Sequence, residues 1–272
     1  MSGGFDIFIK EEDLIKINDY TPEQRYTLKK SLGKGGFGEV FLSFDNYLNR
    51  EVVIKKINKS GPNEEQEFIR EINFMKNIKC PNSVEYYDYY SDSNFYYIVM
   101  EKCDEDLESY MQKNKHGLPD YQIKDILLQL NEAFKIMQSK NIIHRDLKPR
   151  NILLKYVSQN KFIVKIADFG LSREFKNKSF STSTFAGTLF YVAPETGVSK
   201  GYYMPTKCDL WSIGVIIYKL KFNEIGWDFY IGKIPKSFDN KLLDDLVRRL
   251  IVVDPDKRIG WNEYFNHPFF KN

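Results

Sequence analysis

Near position 100 the period of the apolar residues changes, and few arrangements of a chain satisfy both halves. Before that point, residues 39–44, 51–57 and 95–100 are short β-branched or aromatic runs. They are parted by turn signals such as Asp45-Asn46 and Ser91-Asp92-Ser93-Asn94, which predicts antiparallel strands. One helical stretch interrupts them, residues 63–77, with Phe68, Ile72 and Met75 on one face. Asn63 stands there as N-cap before Glu64, Glu65 and Glu67, whose charges suit a helix start. Beyond position 100, residues 121–138 carry Ile123, Ile126, Leu127, Leu130, Phe134 and Met137 at spacings of three and four, and 210–220 and 242–252 read alike. An α+β chain of two lobes is expected: a small antiparallel β-sheet with one main helix, then a larger, mostly helical part, with the seam near Met100 to Cys103.

At 272 residues the chain is long enough to bury a sizeable core, and with 42% hydrophobic residues it is too rich in core formers for disorder. Its net charge of +3, from 40 basic and 37 acidic residues, makes no electrostatic case for nucleic acid. Cys80, Cys103 and Cys208 are far apart and odd in number, which fits neither a disulfide framework nor a zinc site. The start carries Asp6, Glu11, Glu12 and Asp13 where a secretory leader needs a basic end and an apolar run. Ser2 does not suit myristoylation, and the longest apolar segment, around 211–218, is too short to span a bilayer. A cytoplasmic protein without membrane or nucleic-acid partners is expected. Residues 1–25 read as an N-terminal extension in which Phe5, Ile7, Phe8 and Ile9 fall at roughly strand spacing.

Two short polar strings carry chemistry. His144-Arg145-Asp146-Leu147-Lys148-Pro149-Arg150-Asn151 holds a carboxylate suited to a hydroxyl proton and an amide suited to a metal, and Asp168-Phe169-Gly170 adds a second carboxylate. Phosphoryl transfer calls for these groups, because its chemistry is mostly positioning and charge neutralisation. Upstream, Gly33-Lys34-Gly35-Gly36-Phe37-Gly38 lies between two strand candidates. Glycines there let backbone N–H groups close over a phosphate, although a plain glycine-rich hairpin would read the same. A dinucleotide fold needs a helix after the glycines, and Glu39-Val40-Phe41-Leu42 reads as strand. Lys55 ends the strand Val52-Val53-Ile54-Lys55; the adjacent Lys56 is an equal choice by itself, and Glu71 in the helical stretch is a candidate partner.

Taken in order, the glycine string through Val40, Val52 to Lys55, Glu71, His144 to Asn151, Asp168-Phe169-Gly170 and Ala193-Pro194-Glu195 resemble the motif set of the eukaryotic-type protein kinases. The resemblance covers residues 26–270. It implies a two-lobed kinase fold with an N-lobe over about 26–100, a hinge at 101–104 and a C-lobe over about 105–270. It also implies an enzyme that uses ATP and Mg²⁺ to phosphorylate serine and threonine hydroxyls of protein substrates, the alternative being a pseudokinase scaffold without turnover. By the same resemblance, Asp146 orients the substrate hydroxyl and accepts its proton, Lys148 neutralises the moving phosphate, and Asn151 and Asp168 hold Mg²⁺. Lys55, placed by Glu71, holds the α- and β-phosphates. Lys148 and Gly187 to Glu195, with Thr188, match the serine/threonine branch.

For the nucleotide the resemblance implies contacts from Leu32, Gly33, Lys34, Gly35, Gly36, Phe37, Gly38 and Val40, and a hinge pairing through the Glu101 carbonyl and Cys103 N–H. Val40, Val53 and Leu153 would sandwich the adenine, with Met100 guarding the pocket behind it. Val53 replaces the family's usual alanine, which predicts a tighter slot. Residues 176–184 read as a loop rich in hydroxyls and lysines. Thr184, failing that Thr182 or Ser183, is the expected phosphosite, with Arg145 as its partner and an upstream or second identical kinase as its writer. Asp209 is expected to accept backbone donors from the catalytic loop, and Arg258 to pair with Glu195. Residues 222–238 are shorter than the family's usual stretch and allow no clear amphipathic helix. A monomer is expected.

Overall fold

Five strands make one antiparallel sheet: β1 (Tyr26–Gly35), β2 (Gly38–Asp45), β3 (Arg50–Asn58), β4 (Tyr86–Ser91) and β5 (Phe95–Glu101), in the order β1-β2-β3-β5-β4. The structure, a computed structural model, describes residues 21–35, 38–59, 61, 63–159, 161–174, 190–197 and 205–271. Alternation along β3 sorts its side chains by face. Val52 and Ile54 join Tyr26, Tyr97 and Val99 in one apolar cluster, on which Tyr87, Tyr90 and Phe95 pack. Tyr26, Tyr90 and Tyr97 stack in a column, with centroids 5.7 and 4.4 Å apart.

The start of the sheet is fastened by a buried arginine just before β1. Arg25 donates to Asp45 through Nη2 (3.0 Å) and to Asp88 through Nη1 (3.0 Å), and the Tyr26 hydroxyl also donates to Asp88. Isolated, that guanidinium would be costly to bury; with two carboxylates it links the outer end of β2 to the edge strand β4.

The expected single helix is α1 (Glu64–Asn77), acidic in its first turn. The chain divides into two compact units, and the division falls inside α1. The first takes the described residues up to Phe68 with Tyr86–Lys102; the second takes Ile69–Glu85 and everything from Cys103. Within the first, Phe68 stacks on Tyr96 at 4.5 Å. Within the second, the stretch after α1 runs beside a strand further along: Val84 donates to the Ile166 carbonyl, Ile166 to the Asn82 carbonyl, and the Asn82 side chain to the Val164 carbonyl.

In the second unit α2 (Leu107–Lys113), α3 (Asp120–Ser139), α4 (Cys208–Phe222) and α5 (Lys241–Leu250) carry most of the core. α3 buries the face expected from its spacing, and α4 is apolar nearly all round, as a central helix should be. α5 ends at Leu250, two residues short of the sequence expectation. The unit is less purely helical than its periodicity suggests. β6 (Glu105–Asp106), β8 (Ile152–Ser158) and β9 (Lys161–Ile166) form a small sheet, and β7 (Ile142–Ile143) pairs with β10 (Arg173–Glu174). Between residues 222 and 238, where no helix could be drawn, the chain makes one 3₁₀ turn, Trp227–Ile231, anchored by the buried Phe229 against Tyr218.

Among the described glycines of β1 and β2, Gly38 is the one that the fold itself requires. Its φ is +123°, and a Cβ there would lie 2.2 Å from the Lys56 carbonyl oxygen. A Cβ on Gly33 or Gly35 would meet no described atom within 4 Å. Gly38→Ala should therefore cost on the order of 2–4 kcal/mol. Gly35→Ala should stay within about 0.5 kcal/mol. Thermal unfolding of the two variants measures the contrast, and equal stabilities would contradict it.

Candidate active site

The site in the second unit is built from one buried carboxylate upward. Asp209, in the first turn of α4, is 1% exposed and accepts two backbone N–H groups, from His144 at 2.8 Å and Arg145 at 2.9 Å. Burial pushes its carboxyl above the ordinary range, while His144, these two N–H bonds and Arg145 pull the other way. Arg145 sits at φ +69°, a left-handed conformation unusual for an arginine. The bond from its N–H to Asp209 holds that turn, which throws His144 and Asp146 to defined places.

His144 is fully buried and joins the two polar strings. Its Nδ1 faces the Asp146 N–H, a donor, at 3.3 Å, so Nδ1 accepts. Nε2 then carries the proton and donates to the Ala167 carbonyl at 3.0 Å. Ala167 N–H in turn donates to the Asn151 carbonyl at 2.9 Å. Asp168 follows directly, also left-handed at φ +63°, and Phe169 is buried with its ring 5.1 Å from the imidazole. The Ser172 hydroxyl donates to the His144 carbonyl, and the β7–β10 pairing closes the arrangement.

Asp146, 5% exposed, lies at the centre. Its Oδ2 takes the Lys148 ammonium at 2.7 Å and the Asn151 amide N–H at 2.9 Å, and that amide also donates to the Asp146 carbonyl. The Asn151 Oδ1 takes no hydrogen bond among the described residues, leaving a hard oxygen donor beside a carboxylate. The arrangement can orient a hydroxyl, receive its proton and place positive charge next to it.

Glu195 and Arg258 form a two-pronged buried pair, Nη1 to Oε1 at 2.6 Å and Nη2 to Oε2 at 2.9 Å. The arginine also donates to the Val252 and Lys207 carbonyls, so all its donors are satisfied where it is fully buried.

In the first unit, Leu32, Gly33, Lys34 and Gly35 end β1, and Gly38 and Val40 lie on β2. Val40 sits opposite Lys55, and Val53 opposite Met100. The pleat sends the two adjacent lysines to opposite faces. Lys55 is 5% exposed, whereas Lys56 points to the other face and lies over the Phe95 ring at 3.8 Å. Glu101 is buried at the end of β5, with Cys103 shortly after it. Glu71 is buried on α1, and Leu153 lies on β8. Gly36, Phe37, Thr182, Ser183, Thr184 and Thr188 lie outside the described residues.

A family model described as "Protein kinase domain" matches residues 26–270. The chain belongs to the protein kinase family. Its relatives include a mimivirus protein (Acanthamoeba polyphaga mimivirus) that carries the serine/threonine-protein kinase name R517/R518, 33% identical over 88% of this chain and 61% of that one. They also include the serine/threonine-protein kinase ATG1a of Arabidopsis thaliana, 32% identical over 90% of this chain and 42% of that one. Calcium-dependent protein kinase 4 of Plasmodium berghei is 36% identical over 91% of this chain and 50% of that protein. The chain thus spans about two fifths to three fifths of the length of these kinases.

As a kinase domain, the chain shows the architecture expected of it: an antiparallel sheet and a mostly helical part. Some of these contributions had no signal in the sequence. Ala167 acts through backbone groups that any residue has, and the imidazole's bridging role shows only once its three partners are in place. Arg25 was likewise unmarked, an arginine outside any motif.

Arg258→Met would leave Glu195 as an uncompensated buried charge. The expected cost is about 3–5 kcal/mol. Urea unfolding measures it, with Arg258→Met/Glu195→Met recovering part of the loss; a single-variant loss below about 1 kcal/mol would contradict the pair's structural weight.

Proposed function

We propose that the chain transfers the γ-phosphoryl group of ATP to serine and threonine hydroxyls of protein substrates. The observation that carries this reading is the Asp146 carboxylate, buried and held by Lys148 and Asn151. Asp146 orients the substrate hydroxyl and receives its proton as the bond to phosphorus forms. Lys148, already 2.7 Å from it, places its charge on the transferring group. Protein kinases use ATP and typically Mg²⁺. The donor set fits such a cation: an Asn151 oxygen with no other partner among the described residues and the Asp168 carboxylate, both hard oxygens. When bound, Mg²⁺ neutralises charge on the phosphate oxygens.

For the nucleotide, the first unit offers Leu32, Gly33, Lys34, Gly35, Gly36, Phe37, Gly38, Val40, Val53, Lys55, Met100 and Glu101, and the second offers Glu71, Cys103 and Leu153. Supporting this, a Cβ on Gly33 or Gly35 would meet no described atom, so among the described residues packing does not call for their small size. Nothing favours a pseudokinase, since Lys55, Asp146, Asn151 and Asp168 are all present. A monomer in the cytoplasm, acting on protein partners, completes the reading.

Asp146→Asn should lower the rate of ADP formation with acidic and basic protein substrates by about 10²–10⁴-fold while keeping the thermal midpoint. Lys55→Met should be similarly impaired, and equal rates in all three proteins would sink the enzyme reading. Phosphorylation at Thr184, or failing that Thr182 or Ser183, by an upstream kinase or a second copy would pair with Arg145 and raise activity. Thr184→Ala purified from cells should then lose turnover; full turnover, with no phosphate mapped to residues 176–184, would refute the switch.

A further inference from the structure

Beside Asp146 stands a cation that the catalytic arrangement leaves unused. Arg150 is the exposed member of the turn Pro149–Asn151, whose other two residues are buried. It directly precedes Asn151, which binds the Asp146 carboxylate. Among the described residues its guanidinium makes no ion pair and no side-chain hydrogen bond.

The carboxylates near it are already engaged. β6 and α2 pack on this turn. Asp106 caps α2 through the Ser109 N–H and hydroxyl, at 2.8 and 3.0 Å. Glu105 is taken by Lys113 at 2.7 Å and by the Tyr156 hydroxyl at 2.6 Å. Glu108 receives the Lys219 ammonium on both oxygens, at 2.7 and 2.6 Å. Residues 175–189 and 198–204 contain Lys176, Lys178 and Lys200 and no aspartate or glutamate.

Tyr191 locates the charge. Its hydroxyl is buried without a partner among the described residues. Burial and Glu108 raise its phenol, and Arg150 opposes them, so the guanidinium's field reaches the segment that precedes Pro194. A basic substrate side chain arriving here would meet Arg150 in the open and a Glu108 already neutralised by Lys219.

We propose that Arg150 is a specificity-determining residue that binds a carboxylate side chain of the substrate within a few positions of the accepted hydroxyl, so that the preferred phosphorylation sites are acidic. The inference rests on Asp146 as the group that takes the substrate hydroxyl. At roughly 3.3 Å per extended residue, an arginine side chain next to the acceptor reaches about two positions along a bound peptide. Its planar fork suits a carboxylate better than an ammonium would.

The test uses three peptides with one serine and a shared core, flanked by aspartate and glutamate, by alanine, or by lysine and arginine. Steady-state kinetics are measured for the wild type, Arg150→Ala and Arg150→Glu at low and high salt. Because each exposed charge pair changes binding only a few-fold, the wild type should favour the acidic peptide over the basic one by about tenfold, mainly through KM. The preference should shrink as salt rises, nearly vanish in Arg150→Ala and reverse in Arg150→Glu. Wild-type turnover with equal or basic preference, or an acidic preference that survives Arg150→Glu, would overturn this inference alone. No transfer to any peptide would overturn the transferase reading and this inference with it.

Discussion

A single carboxylate, Asp209, accepting the N–H groups of His144 and Arg145, is the constraint on which the rest of the catalytic arrangement depends. A carboxylate removed from water is stable only if its lone pairs are met, and two charge-assisted bonds meet them here. Those bonds do more than stabilise. They hold Arg145 in a left-handed turn, which turns the His144 ring toward Ala167 and delivers Asp146 to Lys148 and Asn151. The rigid base is α4, buried along almost its whole length, so a motif on a loop borrows the order of the best-packed helix.

The same logic recurs wherever this chain buries charge. Arg258 is fully enclosed, yet each of its nitrogens finds an oxygen, two on Glu195 and the others on main-chain carbonyls. Arg25 does likewise with Asp45 and Asp88 at the far end of the sheet. In each case the partner is distant in sequence, so the pairs fix tertiary relations that apolar packing alone would leave more degenerate. Arg150 is the contrast: an arginine left without a partner among the described residues, on the turn that holds the reactive groups.

Much of this was legible in the residues, for identifiable reasons. Long helices with a clear 3.6-residue period, such as α3, were placed almost to the residue, because a wide apolar face admits one arrangement. The β8–β9 hairpin was not, since Ile152-Leu153-Leu154 and Ile163-Val164 are too short for periodicity to separate strand from helix. Order along the chain marked Asp146, Asn151 and Asp168, and the resemblance chose Lys55 over Lys56; the pleat of β3 buries the one and lays the other on Phe95. The bridging through Ala167 was out of reach, because backbone donors and acceptors leave no trace in side-chain identity.

The central claim is that this geometry passes a phosphoryl group from ATP to an aliphatic hydroxyl. Its most direct test is phosphoamino-acid analysis of a protein substrate after incubation with the chain, Mg²⁺ and ATP labelled in the γ-phosphate. Label recovered as phosphoserine and phosphothreonine is the predicted result. Label released only as free phosphate, or found on tyrosine alone, would contradict the account.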